Sequence, residues 1–374
     1  MSQVRRLIRP WFITCILCLV YVGFVILSNK GNPIALVTLG TQFSQQTPAG
    51  QGGSEGYDGQ FNYYIARDPN TAAQFLDVPA YRFQRILFPA LGRLLSFGQT
   101  DLIPWAFLLI NIVALAVGTI LLENLLVQFR VSRWYALTYG LTLGIFGSVR
   151  LSLSEPLAYA LVLGGITLAR NRQWFWAAVI FALAALAKET TLIFAGAYVL
   201  YLFTQRDWKN GLLVGFISVL PFAIWQFILF KTLGSFGVGS GGAQATSFEI
   251  IPLMGLIRIW TDTPAEVRAK ILLILAPTLL IFVIAPTIWA LWVSIKDIRR
   301  GKWSAEISLL LINSAVMLFV PFSTYREPIG ILRFIVGLQL TVILYAAQNK
   351  RYRALRNSTL WIVTIFYIAT LITT

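Results

Sequence analysis

The sequence contains no histidine and two cysteines, and 12% of its 374 residues are charged. Each scarcity excludes something. Without histidine, the commonest metal ligand and the usual base near neutral pH are both missing, so acid–base chemistry falls to carboxylates, tyrosine or lysine. Cys15 and Cys18 sit inside the first apolar run, too few and too deep for a disulfide framework, and read as small apolar helix residues. So little charge, with 57% hydrophobic residues and a mean hydropathy of +0.72, is incompatible with a soluble protein of this length, which needs more polar surface. No Walker or Rossmann glycine pattern occurs, so nothing points to a nucleotide. There is no convincing internal repeat and no soluble domain.

What the chain has in abundance is apolar runs. Windows of roughly 20 apolar residues, shorter where polar residues interrupt, fall at 11–28, 102–125, 134–149, 153–169, 174–188, 190–204, 211–230, 270–293, 305–322, 329–347 and 358–373. They predict an all-α, polytopic transmembrane bundle of about eleven helices, with nine to twelve as the range, forming one domain over 1–374. The first run follows Arg5, Arg6 and Arg9, as in a signal peptide. It is long enough to span, however, and no small-residue cleavage site follows closely, so it reads as a retained anchor with a cytoplasmic N-terminus.

The net charge of +15 would suggest nucleic acid in a soluble chain; here 17 of the 30 basic residues fall in short cytoplasmic segments, as the positive-inside rule requires, and no nucleic-acid partner is expected. Eleven of the 15 acids, Glu266 among them, fall on the opposite side. This places the polar chemistry on the outer face of a plasma (inner) membrane.

Two hydrophilic loops lie on that face. The first, 29–100, has a flexible AGQGGSEG stretch in its middle and continues into GYDGQFNYYIARDP, whose helical character ends before Pro69. VPAYRFQRILFPALGRLLSFG follows, with Arg82, Arg85 and Arg93 alternating with apolar residues as in an amphipathic helix in the headgroup plane. The second loop, 231–268, reads as a mobile lid (GSFGVGSGG) followed by an interfacial piece (IIPLMGLIRIW).

The candidate chemistry centres on Asp58. On a helix, Asp58, Phe61, Asn62 and Ile65 share one face, while Gln60, Tyr64 and Arg67 share another; neither is a simple core face. One reading is a carboxylate aimed into a sugar pocket with aromatic walls. The bland reading is a solvated acid capping a short helix. Asp101, Glu155, Glu189 and Glu327 open other outer helices, where the helix dipole alone accounts for an acid. Against that, Arg150, Glu155, Lys188, Glu189 and Arg333 are closely flanked by apolar sequence, where ionisable groups are costly and usually face a cavity or a partner.

Tyr57-Asp58 followed by Tyr63, Tyr64, Ile65 and Ala66, then Phe88-Pro89, then Ser154-Glu155, resembles the GT-C superfamily of multi-spanning glycosyltransferases. The nearest pattern is that of the GPI mannosyltransferase II (PIG-V-like) group and its bacterial relatives. Two positions depart from it: Tyr57 replaces a tryptophan, and ALAKETT replaces the eukaryotic A-x-x-R-S-N turn. The resemblance covers about residues 11–200. It implies transfer of a sugar, mannose in that group, from a polyprenyl-phosphate donor to an acceptor hydroxyl on a glycan, lipid or protein, with inversion. In that scheme Asp58 is the general base. Arg82, Arg85, Arg326, Arg333 and Lys188 are candidates to hold the leaving phosphate. Tyr57 and Tyr64 stack on sugar, with Gln60 and Arg67 on the same helix. Glu155 and Glu189 accept sugar hydroxyls or pair with Arg150 and Lys188, and Glu327 is a further substrate-binding candidate. No cofactor is required; a divalent cation is compatible, although no acid spacing argues for one.

Two other classes fit such a chain. A lipid or lipid-linked-sugar transporter or flippase places its polar residues near the midplane and often shows inverted repeats. A scaffold subunit predicts no concentrated pocket.

Overall fold

The structure, a computed structural model, describes residues 9–45, 53–242, 246–264, 268, 273 and 275–371. Arg5, Arg6, Glu266, part of the AGQGGSEG stretch and part of the 231–268 loop lie outside the described residues. Within the described residues the regular elements are helical, and no strand occurs. Four helices are long and apolar enough to cross a membrane: Pro10–Ser28, Thr100–Gln128, Trp208–Leu233 and Leu275–Arg299. A fifth span arises if Pro328–Phe334 and Val336–Gln348, bent by 41° at Ile335, act as one. The apolar runs expected at 174–188, 190–204 and 305–322 form shorter helices, Trp174–Ala187, Glu189–Thr204 and Ala305–Phe319.

These shorter helices are interior elements. Helix 174–187 turns Ala177, Ala178, Ala184 and Ala185, all fully buried, toward its neighbours 155–170 and 208–233. Residues this small let helix axes approach closely, the usual device where lipid supplies no hydrophobic drive between helices. Gly165 does the same from the other side, since a methyl there would overlap the Phe181 ring. By contrast, helix 10–28 leaves Val20, Phe24 and Leu27 exposed, and helix 208–233 leaves Leu212 and Phe216 exposed. Such apolar outer faces suit lipid rather than water.

The first helix is fixed at its start by a buried carboxylate. Glu123, on helix Ile103–Gln128, accepts from the Trp11 backbone N–H at 2.9 Å and from Arg9 Nε at 3.0 Å. That satisfies one of the unpaired donors every helix start leaves and neutralises the acid in the same contact.

The 29–100 region folds as a layer of short helices, Gly59–Arg67, Pro79–Phe83 and Leu87–Leu95, packed on helix 103–128 through Phe61, Ile65, Phe88 and Phe107. The single amphipathic helix expected over VPAYRFQRILFPALGRLLSFG is therefore two helices. Arg93 Nη1 donates to the Ala66 and Arg67 carbonyls at 3.0 and 2.5 Å, closing the C-terminal end of helix 59–67 just before Pro69. In the second loop, helix Met254–Thr261 carries Arg258, which pairs with Glu249 at 2.9 Å and Asp262 at 2.7 Å. Glu249 N and Leu253 N donate to the Phe319 and Leu318 carbonyls, which fastens this segment to the end of helix 305–319.

Candidate functional site

Asp58 is placed by backbone constraints on three sides. Upstream, residues 40–42 and 54–56 cross: Gln42 N donates to Ser54 O at 3.0 Å, and the Gln60 side chain ties Gly40 N (3.0 Å) to the Glu55 carbonyl (2.8 Å). A side chain on Gly40 would overlap the Glu55 and Gly56 backbone. Next to the acid, Tyr57 N donates to Thr38 O at 2.9 Å. Below it, Gly59 sits so close to the Leu151 carbonyl that a methyl would overlap the oxygen. The 151–154 turn is itself held from several sides. Asn62 Nδ2 donates to Ser152 O and Asn111 Nδ2 to Leu153 O, each at 3.0 Å, and Ser152 Oγ donates to Leu36 O at 3.1 Å.

So placed, Asp58 stands at the helix start without capping it, because its side chain accepts no helix N–H. The carboxylate instead lies between two guanidinium groups: Arg82 Nη1 is 2.9 Å from Oδ1, and Arg333 Nη1 is 3.0 Å from Oδ2. Each arginine is anchored behind. Arg82 Nε and Nη2 donate to the two Asp77 oxygens at 2.7 Å, and its Cζ lies 4.1 Å from the centre of the Phe61 ring. Arg333 Nε and Nη2 both reach Glu155 Oε1 at 2.8 Å.

Lys188 Nζ meets the same Glu155 oxygen at 2.7 Å. Arg85 grips Glu189 with Nε and Nη2 at 2.8 and 2.7 Å. Tyr57 donates its hydroxyl to Glu327 at 2.7 Å and accepts from Arg333 Nη1 at 3.1 Å. A small cleft opens among these groups, lined by Asp58, Phe61, Asn62, Arg82, Arg85 and Arg333 with the 153–155 turn.

The electrostatics follow from these neighbours. Burial pushes the Asp58 carboxyl up, but the Arg82 and Arg333 charges beside it outweigh that and hold it well below the usual carboxylate range. Burial likewise raises the Tyr57 hydroxyl, in spite of Arg333, so it is a donor at neutral pH.

Of the candidates named from the sequence, the structure joins Tyr57, Asp58, Arg82, Glu155, Lys188, Glu327 and Arg333 through direct bonds. It sets the Arg85–Glu189 pair beside them on the same cavity, with Arg82 and Arg85 both over the Tyr81 ring. It leaves four elsewhere. Gln60 is a loop tie, as described above. Tyr64 stacks on Phe75 with centroids 5.0 Å apart, and the Arg67 guanidinium lies over both rings. Arg326 is exposed and packs over Phe322.

The expected local pairings are replaced as well. Glu155 pairs with Lys188 and Arg333 rather than Arg150, and Glu189 pairs with Arg85 rather than Lys188. Arg150 donates to the Ala35 carbonyl and Thr38 Oγ1, bracing the loop beneath Tyr57. Asp77 belongs to the candidate site although the sequence reading does not single it out, and Asn62, placed on the Asp58 face, has no role in that reading. Asp77 lies five positions before Arg82, with Pro79 opening a helix between them, and that spacing was the available signal.

Among the described residues no three acidic or thiol side chains converge to hold a metal ion. No family model, curated protein or solved structure matches the chain.

Proposed function

We propose that this chain is an integral-membrane glycosyltransferase of the GT-C type, which moves a sugar from a polyprenyl-phosphate donor to an acceptor hydroxyl. The observation that carries the reading is a carboxylate, Asp58, open to a cavity and flanked by cationic side chains that are themselves rigidly held. General-base transfer from a lipid phosphate needs both parts: an acceptor for the hydroxyl proton and fixed positive charge for the leaving group.

In the proposed reaction the acceptor oxygen attacks the anomeric carbon from the face opposite the phosphate. The new C–O bond forms as the bond from the anomeric carbon to the phosphate oxygen breaks, and configuration inverts. The hydroxyl proton passes to Asp58, and the electron pair leaves on the phosphate, opposite Arg82, Arg85 and Arg333. Tyr57, Asn62 and Phe61 line or border the space a sugar ring would fill.

The membrane arrangement belongs to the same proposal. The N-terminus lies in the cytoplasm, the long apolar helices cross the plasma membrane together with the shorter interior ones in a multi-pass bundle of about eleven, and the cavity opens on the outer face. The exposed Leu94, Phe97 and Trp105 beside the 29–100 layer would rest in the outer headgroup region. The test is direct. Purified protein in nanodiscs is given a mannosyl phosphoprenol and a panel of acceptors, and the product is followed by mass spectrometry. Turnover in wild type and a loss of about a hundredfold or more in Asp58→Asn supports the reading; equal turnover in both sinks the base role.

A further inference from the structure

We propose that before a donor binds, Asp58 is masked by Arg82 and Arg333, and that the phosphate of an incoming lipid donor unmasks it by taking its place between the two guanidinium groups. The inference rests on the transferase reading and concerns the order of events in the same cavity.

The network is charge-balanced among its directly paired groups. The cations Arg82, Arg85, Lys188 and Arg333 face the carboxylates Asp58, Asp77, Glu155 and Glu189, each cation already contacts at least one of them, and a fifth acid, Glu327, is held by the Tyr57 hydroxyl instead. An anion that enters the cavity therefore finds no uncommitted cation in the network and must displace a carboxylate. The contacts single out which one. Asp77 binds Arg82 through both oxygens and its side chain is 4% exposed. Glu189 binds Arg85 through both oxygens. Glu155 is 1% exposed and takes three donors. Asp58 offers one oxygen to each of two arginines and is 32% exposed, the most open of the four.

Exchange at Asp58 also leaves the cations in place. Arg82 stays gripped by Asp77, and Arg333 by Glu155, so both Nη1 groups keep pointing at the vacated position. Two non-bridging phosphate oxygens match two such donors. Once released, the Asp58 carboxylate loses the charge that made it a poor proton acceptor, and it lies beside the sugar the phosphate brought. It takes the acceptor proton as the new glycosidic bond forms and the sugar–phosphate bond breaks. When the prenyl phosphate departs, the guanidinium groups close on the carboxyl again and drive the proton off to solvent. The consequence is ordered chemistry: without donor charge in the cavity the base is held inactive, which guards against futile activation of water.

The experiment uses the full-length protein in nanodiscs and farnesyl phosphate, a prenyl phosphate without sugar, as probe. Removing the competing carboxylate should tighten binding: Asp58→Asn is expected to bind roughly tenfold more strongly than wild type, the scale of one charge-assisted hydrogen bond regained. Asp68→Asn, an equal charge change on an exposed acid that bonds Thr71 and Asn70, should bind as wild type does. Equal or weaker binding by Asp58→Asn, or the same gain in Asp68→Asn, overturns the masking. Absence of farnesyl phosphate binding in both wild type and Asp58→Asn overturns the anionic-donor reading itself. A measurement on the wild type alone covers the case in which the variant does not fold. With carboxyl-13C aspartate incorporated, the infrared difference spectrum on adding farnesyl phosphate should show a displaced carboxylate band, and an unchanged band rules the exchange out.

Discussion

Asp77 holds Arg82 with both carboxylate oxygens, each 2.7 Å from a guanidinium nitrogen, and so turns the remaining Nη1 toward Asp58, 2.9 Å away. A bidentate pair of this kind fixes orientation as well as charge. Asp77 is therefore a positioning residue. Asp77→Ala is expected to lower kcat on the order of a hundredfold, the effect of a misaimed group, together with a loss of stability, because Asp77 is 4% exposed and its removal takes from Arg82 a bidentate partner. Asp77→Glu should recover part of the loss. A substitution that changes only KM would count against the aiming role.

Asp58→Asn keeps the size of the side chain and removes its ability to take a proton. Activity should fall by about 10² to 10⁴, the range that general-base catalysis supplies. Single-turnover rates with donor prebound separate this from a binding defect, since the proposal above has donor binding improve.

The depressed Asp58 ionisation has a definite sign for stability. Its folded value lies below the unfolded one, so its contribution is present above the ordinary carboxylate value of about 3.9 and is lost as pH falls through the lower folded value. The melting-temperature difference between wild type and Asp58→Asn should stay constant from neutral pH down to about 5 and shrink in more acidic buffer. A gap that widens on acidification would reverse the assignment.

Lys188 and Glu155 are 6% and 1% exposed and pair at 2.7 Å. Removing Lys188 leaves Glu155 still gripped by Arg333, so Lys188→Met is expected to cost about 1–3 kcal/mol, the scale of one lost charged hydrogen bond in a buried site. Replacing both, with Glu155→Gln added, should cost less than the sum of the two single changes. Strict additivity in detergent-solubilised melting would show the pair to be uncoupled.

Gly59→Ala tests the placement of the acid by backbone packing. The added methyl overlaps the Leu151 carbonyl, so either the helix start or the 151–154 turn must move. Overpacking of this kind costs about 1–3 kcal/mol, and activity should fall further than stability because Asp58 is the adjacent residue. Wild-type activity in this variant would mean the turn yields freely.

How much of this was legible in the sequence differs residue by residue. Helix 59–67 and its stop before Pro69 follow from local rules, and so does the face shared by Asp58, Phe61 and Asn62, all of which line the cavity. The pairings were not legible, because they join elements far apart in the chain: Arg333 meets Asp58 across 275 positions, and Arg85 meets Glu189 across 104. Local charge proximity pointed instead to Arg150 with Glu155 and to Lys188 with Glu189. The Gln60 amide reads the same in sequence whether it binds a ligand or ties a loop; only the crossing at Gly40 and Gly56 decides it. Apolar runs mark helices that shun water, but they do not separate those facing lipid from those, like 174–187, packed against other helices.

The crossing of 40–42 with 54–56 gives the chain on either side of residues 43–53 a fixed anchor upstream of Asp58. Because both stems are pinned to each other and to Gln60, the length of the intervening segment sets no geometry at Asp58, and loop closure grows costlier only slowly with length. A short epitope or protease cleavage sequence grafted there should leave the contacts of Asp58 undisturbed. It would give a handle for determining, in intact cells, which side of the bilayer this layer occupies.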